Sequence, residues 1–384
     1  MVGLLVPLAA LERGATPAFV GLLVSLAYAL PFLLAMPIGG LADRIDSRWL
    51  LLAAALSMAL IPALTSAFLS LPALVVAQVF FGMNHLVFVL AAQRLVSGLG
   101  TGSVGERNFG WFTTFQSAAQ LIGALAAGIL LDLFAAPTAF LISGLVALFA
   151  VRTTFLLPAS HPHRARGERR PAIRPFGGPG ELKGLFENYG VRLAILVSCG
   201  VLVVGAVRQS FLPVYLDSLA FPATTIGFLI SVRGLSSMLV RPFMPAIVRS
   251  LGGRSWTLLT TVVVLAVGIG MTAFIETIVP LFIASVLVGI SSGISQPLSV
   301  VTVADHVPKE KVGFALGFRL TGNRLAQTLA PVTVGLIAEA AGVRWSFIVA
   351  AAALLVTAPL VLLWRGGFEA AEIRLAELRR APAD

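Results

Sequence analysis

Apolar runs of about 20 residues recur along this chain from residue 18 to residue 364, each closed by a short polar break. A helix rises ~1.5 Å per residue, so each run is long enough to cross a hydrocarbon layer of ~30 Å. A helix also satisfies its own backbone hydrogen bonds, which lipid does not do for it. The runs are rich in Leu, Ala and Val and lack the alternation of an outer-membrane barrel. Composition agrees: 58% of the 384 residues are hydrophobic and 11% charged, against about 25% charged in soluble domains. These features predict an all-α membrane protein. Eleven spans are read, over 18–41, 49–68, 74–93, 110–131, 138–157, 192–214, 224–247, 256–275, 280–303, 313–338 and 345–364.

The chain repeats itself. At an offset of 206, Pro7 meets Pro213, Gly21 meets Gly227, Ser25 meets Ser231 and Arg48 meets Arg254. After one inserted residue the offset becomes 207, and Gly82 meets Gly289, Gln120 meets Gln327, Gly128 meets Gly335 and Phe140 meets Phe347. Asp132 falls on Glu339, a carboxylate in both halves. A register held over more than a hundred residues marks a duplication. Residues 192–207 have no partner in the first half, so the sequence as written is expected to begin inside a first span. A late start assignment and a shortened gene both produce that. The complete molecule would have twelve spans, with both termini on one side. The expected organisation is an N-terminal bundle over 1–157, a basic linker over 158–190, a C-terminal bundle over 191–364 and an amphipathic tail over 365–384.

The net charge of +10 is clustered largely in particular loops, which argues against nucleic acid as a partner. Arg44, Arg48, Arg94, Arg107, the stretch 164–183, Arg249, Arg254, Lys309 and Lys311 fall on one side of the spans. The opposite loops hold only Arg13 and Arg344, beside Glu12, Asp217 and Glu276. Positive loops stay inside, so the termini and linker are expected in the cytoplasm and the spans in a bacterial-type inner membrane. Met1 leads straight into apolar residues, with no cleavable signal pattern. His161 and His163 in the linker lack carboxylate or thiol companions, so no metal site is expected, and no cofactor motif is present.

The loop after the run 18–41 reads Gly39-Gly40-Leu41-Ala42-Asp43-Arg44-Ile45-Asp46-Ser47-Arg48. It resembles the signature loop of the major facilitator superfamily, in which Gly, an apolar residue, Ala, Asp and Arg precede further basic residues. Asp46 and Ser47 depart from the usual pattern, which has Gly at or near Ser47. The resemblance implies two pseudo-symmetric six-helix bundles and a cytoplasmic gate latch made of Gly40, Asp43, Arg44 and Arg48. The equivalent second-half loop, 248–254, keeps arginines and has lost the acid. Two patterns of proton-coupled drug antiporters are eroded: Gln78 stands where an Arg would precede Gly82, and 123–128 lacks the proline.

Charges inside spans cost a few kcal/mol each unless they face a polar passage or a partner. Arg208, Arg233, Arg241, Arg319 and Arg324 are such charges. Arg319, Asn323 and Gln327 share one helix face, as do Gln116 and Gln120. Gln78, Asn84, His85 and Gln296 add polar groups on other spans. Together they suggest a cationic substrate cavity; the alternative for Arg241 and Arg319 is helix-end or lipid-phosphate contact. No acid lies in the core of any span, so His85 is the candidate for exchanging a coupling proton, or simply a hydrogen-bonding group. The resemblance implies secondary transport of a small solute by alternating access, as a monomer and more often outward, with an anionic or polar substrate favoured by the arginines. The rivals are a proton-coupled multidrug efflux permease and a non-transporting membrane receptor. A membrane-embedded enzyme would need a nucleophile with its base or a metal cluster, and neither is visible.

Overall fold

The computed structural model describes residues 1–42, 45–97, 102–157, 179–308 and 311–380. Asp43 and Arg44 of the expected latch, and His161 and His163 of the linker, lie outside them. The described residues are almost entirely helical and contain no strand. In order the helices are α1 (Val2–Leu11), α2 (Pro17–Ala42), α3 (Ser47–Ala67), α4 (Leu71–Ser97), α5 (Gly102–Leu133), α6 (Ala136–Thr154) and α7 (Pro179–Glu187). Then come α8 (Tyr189–Ser218), α9 (Ala223–Val240), a 3-10 turn (Arg241–Phe243), α10 (Met244–Ser250) and α11 (Arg254–Thr272). The last three are α12 (Ile278–Asp305), α13 (Val312–Ala341) and α14 (Arg344–Arg380).

Among the described residues ten helices are long and apolar enough to cross a membrane. α13 is long enough but not among the ten, because Arg319, Asn323, Arg324 and Gln327 interrupt its apolar surface. Three elements differ most from the expected spans, the first being α5, which begins at Gly102 rather than at residue 110. The run 224–247 is broken at Arg241-Pro242, where proline cannot donate the next helical hydrogen bond and the chain tightens into a 3-10 turn. The tail continues α14 without a break, through Gly366 and Gly367 as far as Arg380.

The chain forms two compact units. The first contains residues 1–169, 208–235 and 328–343; the second contains 170–207, 236–327 and 344–384. In the first, α3 packs on α4 and α6, and α2 packs on α4. The short α1 is enclosed, with Leu4 through Ala10 all buried. Pro7 inside α1 and Pro213 inside α8 occupy equivalent places in the duplication. In the second unit α11 packs on α12 and α14.

The two repeats begin the equivalent helices α3 and α11 with different chemistry. Before α3, the Asp46 side chain accepts the backbone N–H of Arg48 at 2.9 Å, capping the helix. Before α11, Gly252 and Gly253 take φ of 82° and 115°, a backbone open to glycine and strained for other residues. Glycine therefore stands in the second-half turn, and an aspartate cap in the first.

Candidate functional site

The second unit contains a buried polar cluster spread over α8, α12 and α13. Arg319 on α13 donates Nε and Nη2 to Ser299 Oγ of α12 at 3.1 and 2.7 Å. Its Nη2 also donates to the side-chain Oε1 of Gln296 at 2.8 Å and to the Gln296 carbonyl at 3.3 Å. One turn along α13, Asn323 accepts the Ser198 hydroxyl of α8 at 2.8 Å and the Cys199 thiol at 3.6 Å. Gln296 closes the ring by donating Nε2 to the Ser198 carbonyl at 3.2 Å. Helix periodicity makes this possible, since residues three and four apart face the same way: 296 with 299, and 319 with 323.

Electrostatically the cluster is one-sided. Arg319 is 7% exposed, and Ser198 and Ser299 are fully covered. All of its partners among the described residues are neutral, and no carboxylate pairs with it. A charge buried among neutral groups acts through a lower effective dielectric than one in bulk water, so its field is weakened less.

A second polar group lies in the first unit. Tyr28 of α2 donates its hydroxyl to Gln209 Oε1 of α8 at 2.9 Å. Beside Gln209, Arg208 is buried, and it lies close enough to Arg233 of α9 for the two cations to repel. Arg233 is also within electrostatic reach of Tyr28. Gly3 leaves room for this arrangement, since a methyl group there would stand 3.1 Å from Gln209 Nε2.

The cavity residues expected from sequence are thus divided. Arg319, Asn323 and Gln296 come together in the second unit, and Arg208 with Arg233 in the first. Arg324, also in the second unit, donates to Gln327 Oε1 at 3.4 Å along its own helix. In the first unit Gln78 is buried, Gln116 is half-buried and Gln120 is exposed. The His85 ring stacks on Phe81 with centroids 6.3 Å apart. Asn84 is half-buried, and its Nδ2 has no hydrogen-bond partner among the described residues. Sequence reasoning missed Ser198, Ser299, Cys199 and Gln209 as members of these groups. Ser299 was findable, because it stands one turn from Gln296.

Of the expected latch, Gly40 lies near the end of α2, and Arg48 donates Nη2 to the Phe155 carbonyl at 3.1 Å. In the equivalent second-half turn, Arg254 pairs with Asp305 at 2.8 Å. The acid missing from that loop is supplied by the end of α12. An apolar groove of about 600 Å³ between α3 and α4, lined by residues such as Leu60, Leu64, Phe68 and Val76, carries no charged side chain and no part of either cluster.

The sequence signature of the Major Facilitator Superfamily matches residues 1–274 and again 197–383. The multi-drug resistance efflux pump PmrA of Streptococcus pneumoniae strain TIGR4 is 29% identical over 156 residues, 40% of this chain and 39% of that protein. The multidrug resistance protein MdtG of Citrobacter koseri is 29% identical over 157 residues, 40% of this chain and 38% of that protein. The alignments therefore span about two fifths of the length of these curated relatives. Two solved structures share the fold. The nucleoside transporter NupG has a TM-score of 0.77 at 13% identity, covering 94% of this chain and 97% of that one. A bacterial homologue of the human lysosomal transporter Spinster has a TM-score of 0.77 at 12% identity, covering 96% and 95%. With a family signature across both halves of its duplication and ten membrane-length apolar helices, this multi-pass membrane chain belongs to the Major Facilitator Superfamily.

Proposed function

We propose that this protein is a secondary transporter that carries a small anionic or polar solute across the inner membrane by alternating access, working outward as a monomer. The single observation that supports the substrate class is Arg319, a buried cation held only by neutral groups. At an effective dielectric near 20, an anion brought to about 4 Å from such a charge gains roughly 4 kcal/mol before desolvation costs, and a cation loses as much. Arg208 and Arg233 in the first unit lie close enough for the two cations to repel, and an anion near them would relieve that repulsion. The cavity residues would be these arginines with Arg324, Asn323, Gln327, Gln296, Gln78, Asn84, His85, Gln116 and Gln120. Asp43, Arg44 and Arg48, with Gly40, would latch the cytoplasmic side, where both termini and the linker lie. His85 is the candidate coupling group, and the proton the candidate coupling ion.

A second reading, multidrug efflux, is favoured by the names of PmrA and MdtG. The two readings separate in proteoliposomes loaded with labelled mono- and dicarboxylates or with tetraphenylphosphonium. Arg233→Gln and Arg324→Gln should each lower carboxylate flux about tenfold or more, a change of ~1.4 kcal/mol, and leave the lipophilic cation unaffected or faster. Carboxylate flux unchanged in both variants removes the anion reading. No flux of either probe above that of empty vesicles returns the protein to the receptor class.

A further inference from the structure

Within the first unit the duplication produces matched contacts at one end of the helices. Asp132, at the end of α5, accepts the backbone N–H groups of Ala223 and Thr224 at 2.8 and 2.7 Å, where α9 begins. Its counterpart Glu339, at the end of α13, accepts the N–H of Ala18 at 3.2 Å, where α2 begins. The glycines follow the same relation. A methyl group on Gly128 would overlap the Ala223 carbonyl, and one on Gly335 would press on Pro17 and Ala18. A methyl group on Gly227 would strike the Ala124 carbonyl, and one on Gly21 the equivalent Pro331 carbonyl. Two helix pairs, α5 with α9 and α2 with α13, are thus closed by the same device: backbone against backbone, with a carboxylate on the partner's N-terminus.

The device is not equally strong on its two sides. Free backbone N–H groups and the helix dipole favour a carboxylate at an N-terminus, and each added charge-assisted hydrogen bond strengthens that hold. Asp132 takes two short bonds, and Glu339 takes one longer bond. Ser231 of α9 donates its hydroxyl to the Leu121 carbonyl of α5 at 2.7 Å. Ser25, its counterpart on α2, is buried and has no hydrogen-bond partner among the described residues.

We infer that these contacts are an asymmetric seal, held more strongly by Asp132 and Ser231 on the α5–α9 side than by Glu339 on the α2–α13 side. With the orientation proposed above, this end faces outward, so the α5–α9 contacts supply most of the hold on the outer gate. The inference rests on that orientation and on alternating access, but accessibility reads it without any substrate.

The test uses full-length protein in intact cells with the sole cysteine removed (Cys199→Ser) and Ser25→Cys as reporter behind the seal. A membrane-impermeant maleimide is added from outside. Asp132→Asn should raise the labelling rate about tenfold, and Glu339→Gln about twofold or less. Ser231→Ala, which removes one hydroxyl, should fall with Asp132→Asn; it carries the test if that variant does not reach the membrane. Equal effects on the two sides, a larger effect of Glu339→Gln, or no effect of either α5–α9 substitution overturns the asymmetry. Rapid labelling in the reporter before any further substitution overturns the outward orientation instead, leaving the anion reading to the flux assay.

Discussion

Arg319 and Gln296 are joined by a 2.8 Å hydrogen bond from guanidinium Nη2 to amide Oε1, and that amide in turn holds the Ser198 carbonyl. The fork geometry of Arg319 is what lets it serve Gln296 and Ser299 together. A lysine keeps the charge as a point donor and cannot reach both. Arg319→Lys should therefore cost about 1–3 kcal/mol of stability through the acceptors left short, while retaining preference for anions. Arg319→Gln should lose that preference. Tryptophan-fluorescence melting in detergent measures the first effect, and paired anion and cation fluxes the second.

The sequence made this site half legible. Arg319, Asn323 and Gln296 were visible because charged and amide side chains are costly in an apolar helix. Ser198 and Cys199 were not, since a single hydroxyl or thiol in a membrane helix bonds its own backbone as readily as a neighbour. The spans themselves were legible from their hydropathy, though several helices run a turn or two past the expected bounds. The Arg241-Pro242 break, the early start of α5, the short α7 and the continuation of α14 past Gly366 escaped, because helix there does not depend on an apolar period. The repeat register placed Asp132 over Glu339, but it could not reveal that each caps a helix of the other half.

Arg254 and Asp305, 2.8 Å apart and about three-quarters covered, tie the start of α11 to the end of α12. Partial exposure limits the worth of such a pair to about 1 kcal/mol. A double-mutant cycle on Arg254→Ala and Asp305→Ala should return a coupling of that size. The charge swap Arg254→Asp with Asp305→Arg should recover part of the loss. Additive single effects would show that the two residues do not act together.

Glycines give a contrast within the helices. Gly227 in α9 faces the Ala124 carbonyl, so Gly227→Ala must push two helix backbones apart and should destabilise by about 1–3 kcal/mol. Gly205 in α8 has open space around it, so Gly205→Ala should stabilise by about 0.5–1 kcal/mol through reduced backbone freedom. Thermal midpoints moving in opposite directions are the expected result. Equal shifts would mean that helix propensity, and not the close approach at Gly227, governs both.

Cys199 offers a direct reading of whether the second-unit cluster meets the transported solute. It is the only cysteine in the chain, its thiol points to Asn323 at 3.6 Å, and Gly322 leaves it little spare room. A maleimide adduct would force bulk against Asn323 and Arg319. N-ethylmaleimide should therefore abolish most transport, with intact-mass analysis showing a single addition. Cys199→Ser places a hydroxyl near Asn323 with little change in volume, so it should retain transport within about twofold and resist the reagent. An anion that occupies the cluster should slow the alkylation in proportion to its occupancy, and a lipophilic cation should not. Fully alkylated protein that still transports at the unmodified rate would put the solute's path elsewhere and leave Arg319 with a purely structural task.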